Sequence, residues 1–225
     1  TGSIWHIAFG FDTIVGYGRG GGIIDQLVLN DTPGMDTFEL KRLHASLDAT
    51  DYAVTVTTHG FGTVEARRAF ENENADRVDL YDAPHLDHND ALVGDPTQVT
   101  MTGPGYSNNV YDFPLVMAYS NGKGYDTAHF SDLADPNDSR TGVDTFTGRP
   151  IFSTLEGSGY RLYARLFDEV HAESKYGLDI ANLHGNANGA ELSATATEVR
   201  LSGTHSSGSY ANHARSFHEL NAFGT

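Results

Sequence analysis

Tyr160-Arg-Leu-Tyr-Ala-Arg-Leu-Phe167-Asp-Glu-Val170 is the stretch that decides how this chain folds. Taken alone, its apolar spacing suits an amphipathic helix, and Val64-Glu-Ala-Arg-Arg-Ala-Phe70 does the same. The rest of the chain argues otherwise. Phe167 belongs to a series with Phe11, Phe61, Phe113 and Phe217, spaced by 50, 52, 54 and 50 residues. Three positions after each ring stands an aliphatic residue (Ile14, Val64, Val116, Val170, Leu220), and five positions after it a small one (Gly16, Ala66, Ala118, Ala172, Ala222). Matching copies at a fixed period identify an internal repeat, which bounds the architecture before any local propensity does. Copies of a repeat share a backbone. The sister stretch Tyr52-Ala-Val-Thr-Val-Thr-Thr-His-Gly-Phe61 is β-branched and interrupted by glycine, a poor helix former, so all copies are read as strand.

Further segments repeat in the same register. One reads Asp25-Gln-Leu-Val-Leu29-Asn-Asp31, Asp76-Arg-Val-Asp-Leu80-Tyr-Asp82, Asp126-Thr-Ala-His-Phe130-Ser-Asp132 and Asp179-Ile-Ala-Asn-Leu183-His-Gly185. The next reads Asp36-Thr-Phe38, Asp90-Ala-Leu92-Val-Gly94, Asp144-Thr-Phe146-Thr-Gly148 and a decayed Ala190-Glu-Leu192-Ser-Ala194. Each unit closes ahead of an aromatic, as in Met101-Thr-Gly-Pro-Gly-Tyr106, Leu155-Glu-Gly-Ser-Gly-Tyr160 and the longer Leu201 to Tyr210, while Leu47 to Tyr52 lacks the glycines. The units are 11–60, 61–112, 113–166 and 167–216, with 1–10 and 217–225 as partial units at the same phase.

Period-two alternation between glycine, proline and asparagine marks short strands, four or five to a unit. The expected fold is a single all-β domain, an open repeat array of the parallel β-helix or β-solenoid kind. A four-bladed β-propeller is the rival, since blades of about fifty residues suit the period. The phenylalanine segment occurs once more often than the others, which favours the open array over a closed ring.

Composition narrows function. With 30 acidic and 14 basic side chains the net charge is -16, which repels nucleic-acid phosphates and anionic lipid. Cysteine is absent, so any metal must be held by oxygen or imidazole. No apolar run approaches the roughly 20 residues of a membrane helix, and no signal peptide opens the chain, which excludes membrane insertion through helices. Thr1 is read as the first residue of a processed or partial product.

In Asp25-Gln-Leu27-Val-Leu29 the aspartate shares the parity of the leucines, so its carboxylate is expected to point inward. Calcium is the candidate cofactor for such oxygens, with Asp25, Asp31, Asp36, Asp76, Asp82, Asp90, Asp126, Asp132, Asp144 and Asp179 as the candidate ligands. The alternative is that each carboxylate accepts backbone N–H groups in an Asx-turn, with no ion. Gly20-Gly-Gly-Ile-Ile-Asp25-Gln-Leu27, Gly122-Lys-Gly-Tyr-Asp126-Thr-Ala128 and Gly142-Val-Asp144-Thr-Phe146 resemble degenerate forms of the glycine-rich repeat of RTX β-rolls. That resemblance, confined to the turns, implies calcium binding and secretion. The whole unit is also similar to tandem β-repeat arrays of very large bacterial surface proteins.

Other constellations rank lower. His85-Leu-Asp87-His88-Asn-Asp90 could hold a transition metal but occurs in one unit only. His129, His171 and His213 fall at non-equivalent repeat positions and read as surface or groove residues. There is no Gly-x-Ser-x-Gly elbow, and Gly18 and Gly20 to Gly22 lack the Lys-Ser/Thr of a phosphate loop. Asn30-Asp-Thr32 and Asn137-Asp-Ser139 fit the N-glycosylation pattern. The expectation is a non-enzymatic structural subunit of an extracellular fibre or cell-surface array, polymerising with itself end to end. Two alternatives stand: a calcium-stiffened adhesive module with a glycan partner, and a β-helix enzyme holding acidic polysaccharide on Lys123, Arg149, Arg161 and Arg165.

Overall fold

A computed structural model describes residues 13–17, 26–30, 36–41, 44–49, 54–59, 62–68, 76–82, 88–132 and 142–224. Among them every regular element is a strand, and no helix is long and apolar enough to cross a membrane. The first unit supplies β1 (Thr13–Tyr17), β2 (Gln26–Asn30), β3 (Asp36–Lys41), β4 (His44–Ala49) and β5 (Val54–His59). The second supplies β6 (Thr63–Arg67), β7 (Arg77–Tyr81), β8 (Ala91–Gly94), β9 (Gln98–Gly103) and β10 (Tyr106–Tyr111). In the third are β11 (Leu115–Tyr119), β12 (Thr127–Ser131), β13 (Thr145–Gly148), β14 (Phe152–Gly157) and β15 (Tyr160–Arg165). The fourth holds β16 (Glu169–Glu173), β17 (Ile180–His184), β18 (Ala190–Ala194), β19 (Glu198–His205) and β20 (Gly208–Arg215), and β21 (Glu219–Phe223) opens a fifth.

These strands form two sheets. Sheet A has 11 strands in the order β1-β5-β4-β3-β7-β11-β15-β14-β13-β17-β21, and sheet B has 10 in the order β18-β19-β20-β16-β12-β8-β9-β10-β6-β2. Both sheets run through all the units, so the chain is a β-solenoid. The propeller alternative fails because a propeller would give each unit its own separate blade. The helical reading of Tyr160 to Val170 also gives way, since this stretch is β15 followed by the start of β16.

The pairing has a rule. The last three strands of each unit form an antiparallel meander, as β3-β4-β5 and β8-β9-β10 do. The other pairings run parallel, as in β3-β7, β7-β11 and β11-β15. The meander lies in sheet A for the first and third units and in sheet B for the second and fourth. Each unit is therefore turned over onto the opposite sheet from its predecessor, and the structure returns to itself after two units. The aromatic core shows this directly. Phe38 meets Phe113 with ring centroids 4.9 Å apart, and two units on Phe146 meets Phe217 at 6.1 Å.

Alternation fills the space between the sheets. Phe113, Phe167 and Phe217 are all buried, as are Val64, Val116 and Val170 three positions after their rings and Ala66, Ala118 and Ala172 five after; Phe11 and Phe61 lie outside the described residues. Each large side chain so buried contributes roughly 1.5–3 kcal/mol, which favours inward apolar residues on every strand. The residue before each described ring adopts a left-handed backbone: Asp112 at φ 62°, Leu166 at 61° and Ser216 at 63°. Their N–H groups donate to the carbonyls of Thr97, Ile151 and Thr197, one equivalent bond per unit. In the first two copies the same position is Gly10 and Gly60, the residue type that adopts this conformation without strain.

Candidate metal centre

The repeated aspartates begin or follow the strands, and parity turns them inward as the alternation requires. Asp36, Asp76, Asp82, Asp90, Asp126, Asp132, Asp144 and Asp179 are all buried. Six of them converge as two triads, Asp82 with Asp90 and Asp126, and Asp132 with Asp144 and Asp179, in each of which one carboxylate oxygen per residue lies within 4.8 Å of the others. The triads occupy equivalent places in successive units. Asp36 and Asp76 are the described part of the preceding copy, while Asp25 and Asp31 lie outside the described residues. In the fourth unit Gly185 and Ala190 replace the first two members.

Each triad ties coils together. Asp126 Oδ1 accepts the Asp90 N–H at 2.8 Å and Asp179 Oδ1 accepts the Asp144 N–H at 2.8 Å, as Asp76 Oδ1 accepts that of Asp36 at 3.1 Å. The second oxygen takes a hydroxyl: Ser120 Oγ donates to Asp126 and Ser174 Oγ donates to Asp179 at 2.7 Å. Asp132 accepts the N–H groups of Lys175 and Tyr176, and Asp82 that of Asn121, across about one repeat of sequence. The Asx-type hydrogen bonds expected from the sequence are thus present, but they join residues far apart in the chain instead of closing local turns.

Glycine makes room for this. A Cβ on Gly157 would lie 1.9 Å from Asp144 Oδ1 and 2.3 Å from Tyr160 Cε1, and one on Gly103 would lie 1.7 Å from Asp90 Oδ1. The Gly-x-Gly-Tyr motif is explained by that close approach at its first glycine and by the tight turn at its second, where Gly105 and Gly159 have φ of 80° and 78°.

Three carboxylates in one buried place oppose their own ionisation. Burial first, and neighbouring carboxylates after it, push Asp82 and Asp132 up to about 6 and Asp144 up to about 7. Asp126 is raised too, again by burial, against the Ser120 hydrogen bond. The buried Tyr160 hydroxyl faces Asp144 closely enough that burial and this carboxylate raise it, yet neither Tyr160 Oη nor Asp144 Oδ1 makes an aligned hydrogen bond. Oxygen donors alone, with one carboxylate oxygen still open, form a set suited to a hard cation such as calcium.

The first copy neutralises itself differently. Seven residues after the repeat phenylalanine stand Arg68, Ser120 and Ser174. Arg68 Nε donates to Asp76 Oδ2 at 3.2 Å, so a guanidinium occupies the place where the other two copies offer only a hydroxyl.

The remaining candidates separate. His88 lies beside Asp90 in sequence, but Asp90 is committed to a triad, and His85 and Asp87 lie outside the described residues. Arg161 pairs with Glu156, and Arg149 covers the Phe152 ring. An open depression of about 680 Å³ is lined instead by Tyr125, Asp168, Arg200 and Tyr210, without Lys123, Arg149, Arg161 or Arg165. Sequence reading took His171 and His213 as scattered surface or groove residues and did not single out Glu169, yet the three gather on the outside of sheet B. Comparison with protein-family models, curated proteins and solved structures finds no match to this chain.

Proposed function

We propose that this chain is a structural rod, a β-solenoid segment of an extracellular fibre or cell-surface array that assembles end to end with further copies. One observation carries this reading. Val116 and Val170 are 3% and 4% exposed, whereas their equivalent Leu220 is 39% exposed, and Phe223 on the same strand is 46% exposed. β18 and β21 terminate their sheets with every residue at least partly open, leaving edges that a stacked coil would cover. Sedimentation velocity across a concentration series, with electron microscopy of the same samples, is expected to show linear oligomers. Leu220→Lys with Phe223→Lys is expected to return monomers. A chain that stays monomeric at every concentration, with and without calcium, contradicts the proposal.

A second reading, favoured by the triads, makes the rod a calcium-stiffened module. Burial leaves each triad in need of a proton or a cation, and among the described residues a guanidinium, that of Arg68, meets the aspartates of the first copy alone. Calcium bound to the folded chain alone raises its stability by mass action. At pH 8 millimolar calcium is expected to raise Tm over a chelator control, and an unchanged Tm removes this reading.

A further inference from the structure

We propose that Glu169, His171 and His213 form a transition-metal site of the zinc class on the outer face of sheet B. Two neighbouring strands of the fourth unit, β16 and β20, supply its ligands, and β12 of the third unit lies alongside. In register, His129 of β12 lies beside His171 of β16, and His171 beside His213 of β20. The rings stack, with centroids 4.5 Å apart for the first pair and 4.2 Å for the second, and interplanar angles of 3° and 20°.

The donor atoms converge. His171 Nε2 lies 3.0 Å and His213 Nε2 2.9 Å from one and the same atom, Glu169 Oε1. The other nitrogen of His213, Nδ1, lies 2.7 Å from Glu198 Oε1. Tyr125 donates its hydroxyl hydrogen to the other oxygen of Glu169. Despite the short separation, His213 Nε2 makes no aligned hydrogen bond, although the residue is only 9% exposed. A buried ring nitrogen that lies 2.9 Å from a carboxylate oxygen without hydrogen-bonding to it is explained when both act as ligands of a third atom.

Proton accounting supports the same conclusion. A proton on His213 Nδ1, held by Glu198, leaves a lone pair on Nε2, the arrangement by which carboxylates orient metal-bound histidines. Charging adjacent stacked rings is unfavourable, and burial, then His213 and His129, hold His171 below the usual histidine range. Burial works to raise Glu169, but the Tyr125 hydrogen bond and the two imidazoles bring it below the usual carboxylate range. Neutral imidazoles with an ionised carboxylate are the ligand forms that zinc takes.

Dimensions agree. A tetrahedral metal about 2.0–2.1 Å from each ligand needs donor atoms roughly 3.3 Å apart, close to the two nitrogen–oxygen spacings, and the partly exposed His171 ring must turn out of its stack on His213 for both lone pairs to meet one metal. The His171 side chain is 34% exposed, so a water or a neighbouring molecule can fill the fourth position. Arg200 is the register partner of His213 on its other side, and its guanidinium turns to Ser202 Oγ at 3.0 Å.

Calorimetric titration of zinc chloride into the whole chelator-stripped chain tests the proposal. One zinc per chain is expected, lost in His171→Ala and in His213→Ala, with binding weakened about 10- to 100-fold in Glu198→Gln. Asp132→Asn with Asp144→Asn is expected to leave the zinc in place. Should the histidine variants misfold, X-ray absorption of the zinc-loaded parent chain tests the same ligands directly, with two imidazole nitrogens expected around the metal. No stoichiometric zinc, zinc retained without the two histidines, zinc lost with the two aspartates, or a shell lacking imidazole would each overturn it.

Discussion

The carboxylates inside this solenoid and the histidines outside it are both columns of titratable groups crossing the coils, yet they arise by different rules. The carboxylates stand at equivalent positions in successive units, at the starts and ends of strands, until Gly185 and Ala190 replace two of them in the fourth. His129, His171 and His213 occupy the second, first and last strand positions of their units, and they meet because β12, β16 and β20 are neighbours in sheet B, the last two within one unit. The inner column is written into the repeat. The outer one is a product of stacking. A property of the repeat belongs to the whole rod and is paid for in buried charge, whereas a property of stacking can appear at one level of the rod and decorate it.

The largest effect expected on this contrast comes from the glycine that admits the inner column. Gly157→Ala places a methyl group on Asp144 and Tyr160, and about 3 kcal/mol of stability is expected to be lost by denaturant unfolding. Next comes the charge itself. The folded-state pKa of Asp144 is about 7, above its unfolded value, so its contribution is fully present below about pH 4 and is lost as pH rises through 7. In chelator the chain is expected to weaken between pH 4 and pH 8, and Asp144→Asn to regain about 1–2 kcal/mol at pH 8. The same substitution is expected to reduce the rise in Tm with calcium, and Asp90→Asn added to it to abolish the rise.

The outer column is expected to matter far less for stability. His171→Ala removes stacking on a partly exposed face and is expected to cost under about 1 kcal/mol in the absence of metal, read from the same denaturation curves. Smallest is the backbone correction Asp112→Gly, which relieves a left-handed residue at φ 62° and is expected to raise stability by a few tenths of a kcal/mol.

The sequence made the unit, its strands and the inward aspartates legible because periodicity survives in side-chain type. Residues 160–170 were decided by their sister copies against their own helical spacing. What it hid was the path between copies. The alternation of sheets leaves no trace in residue type, so neither the gathering of Asp82, Asp90 and Asp126 from two units nor the alignment of three histidines could be read in advance. Arg68 was visible as a departure from Ser120 and Ser174, but its meaning depended on knowing that Asp76 sits opposite. A repeat aligned by position and then by parity could have suggested that substitution; the Glu169 cluster offered no comparable signal.

The most direct measurement follows the Asp144 carboxyl carbon by NMR through a pH titration, with chelator and then with calcium. A midpoint near 7 in chelator, moving to lower pH when calcium is added, is the expected result. A midpoint near 4 under both conditions would mean that the triads carry no buried charge to relieve, and the interior would have to be held by hydrogen bonds and packing alone.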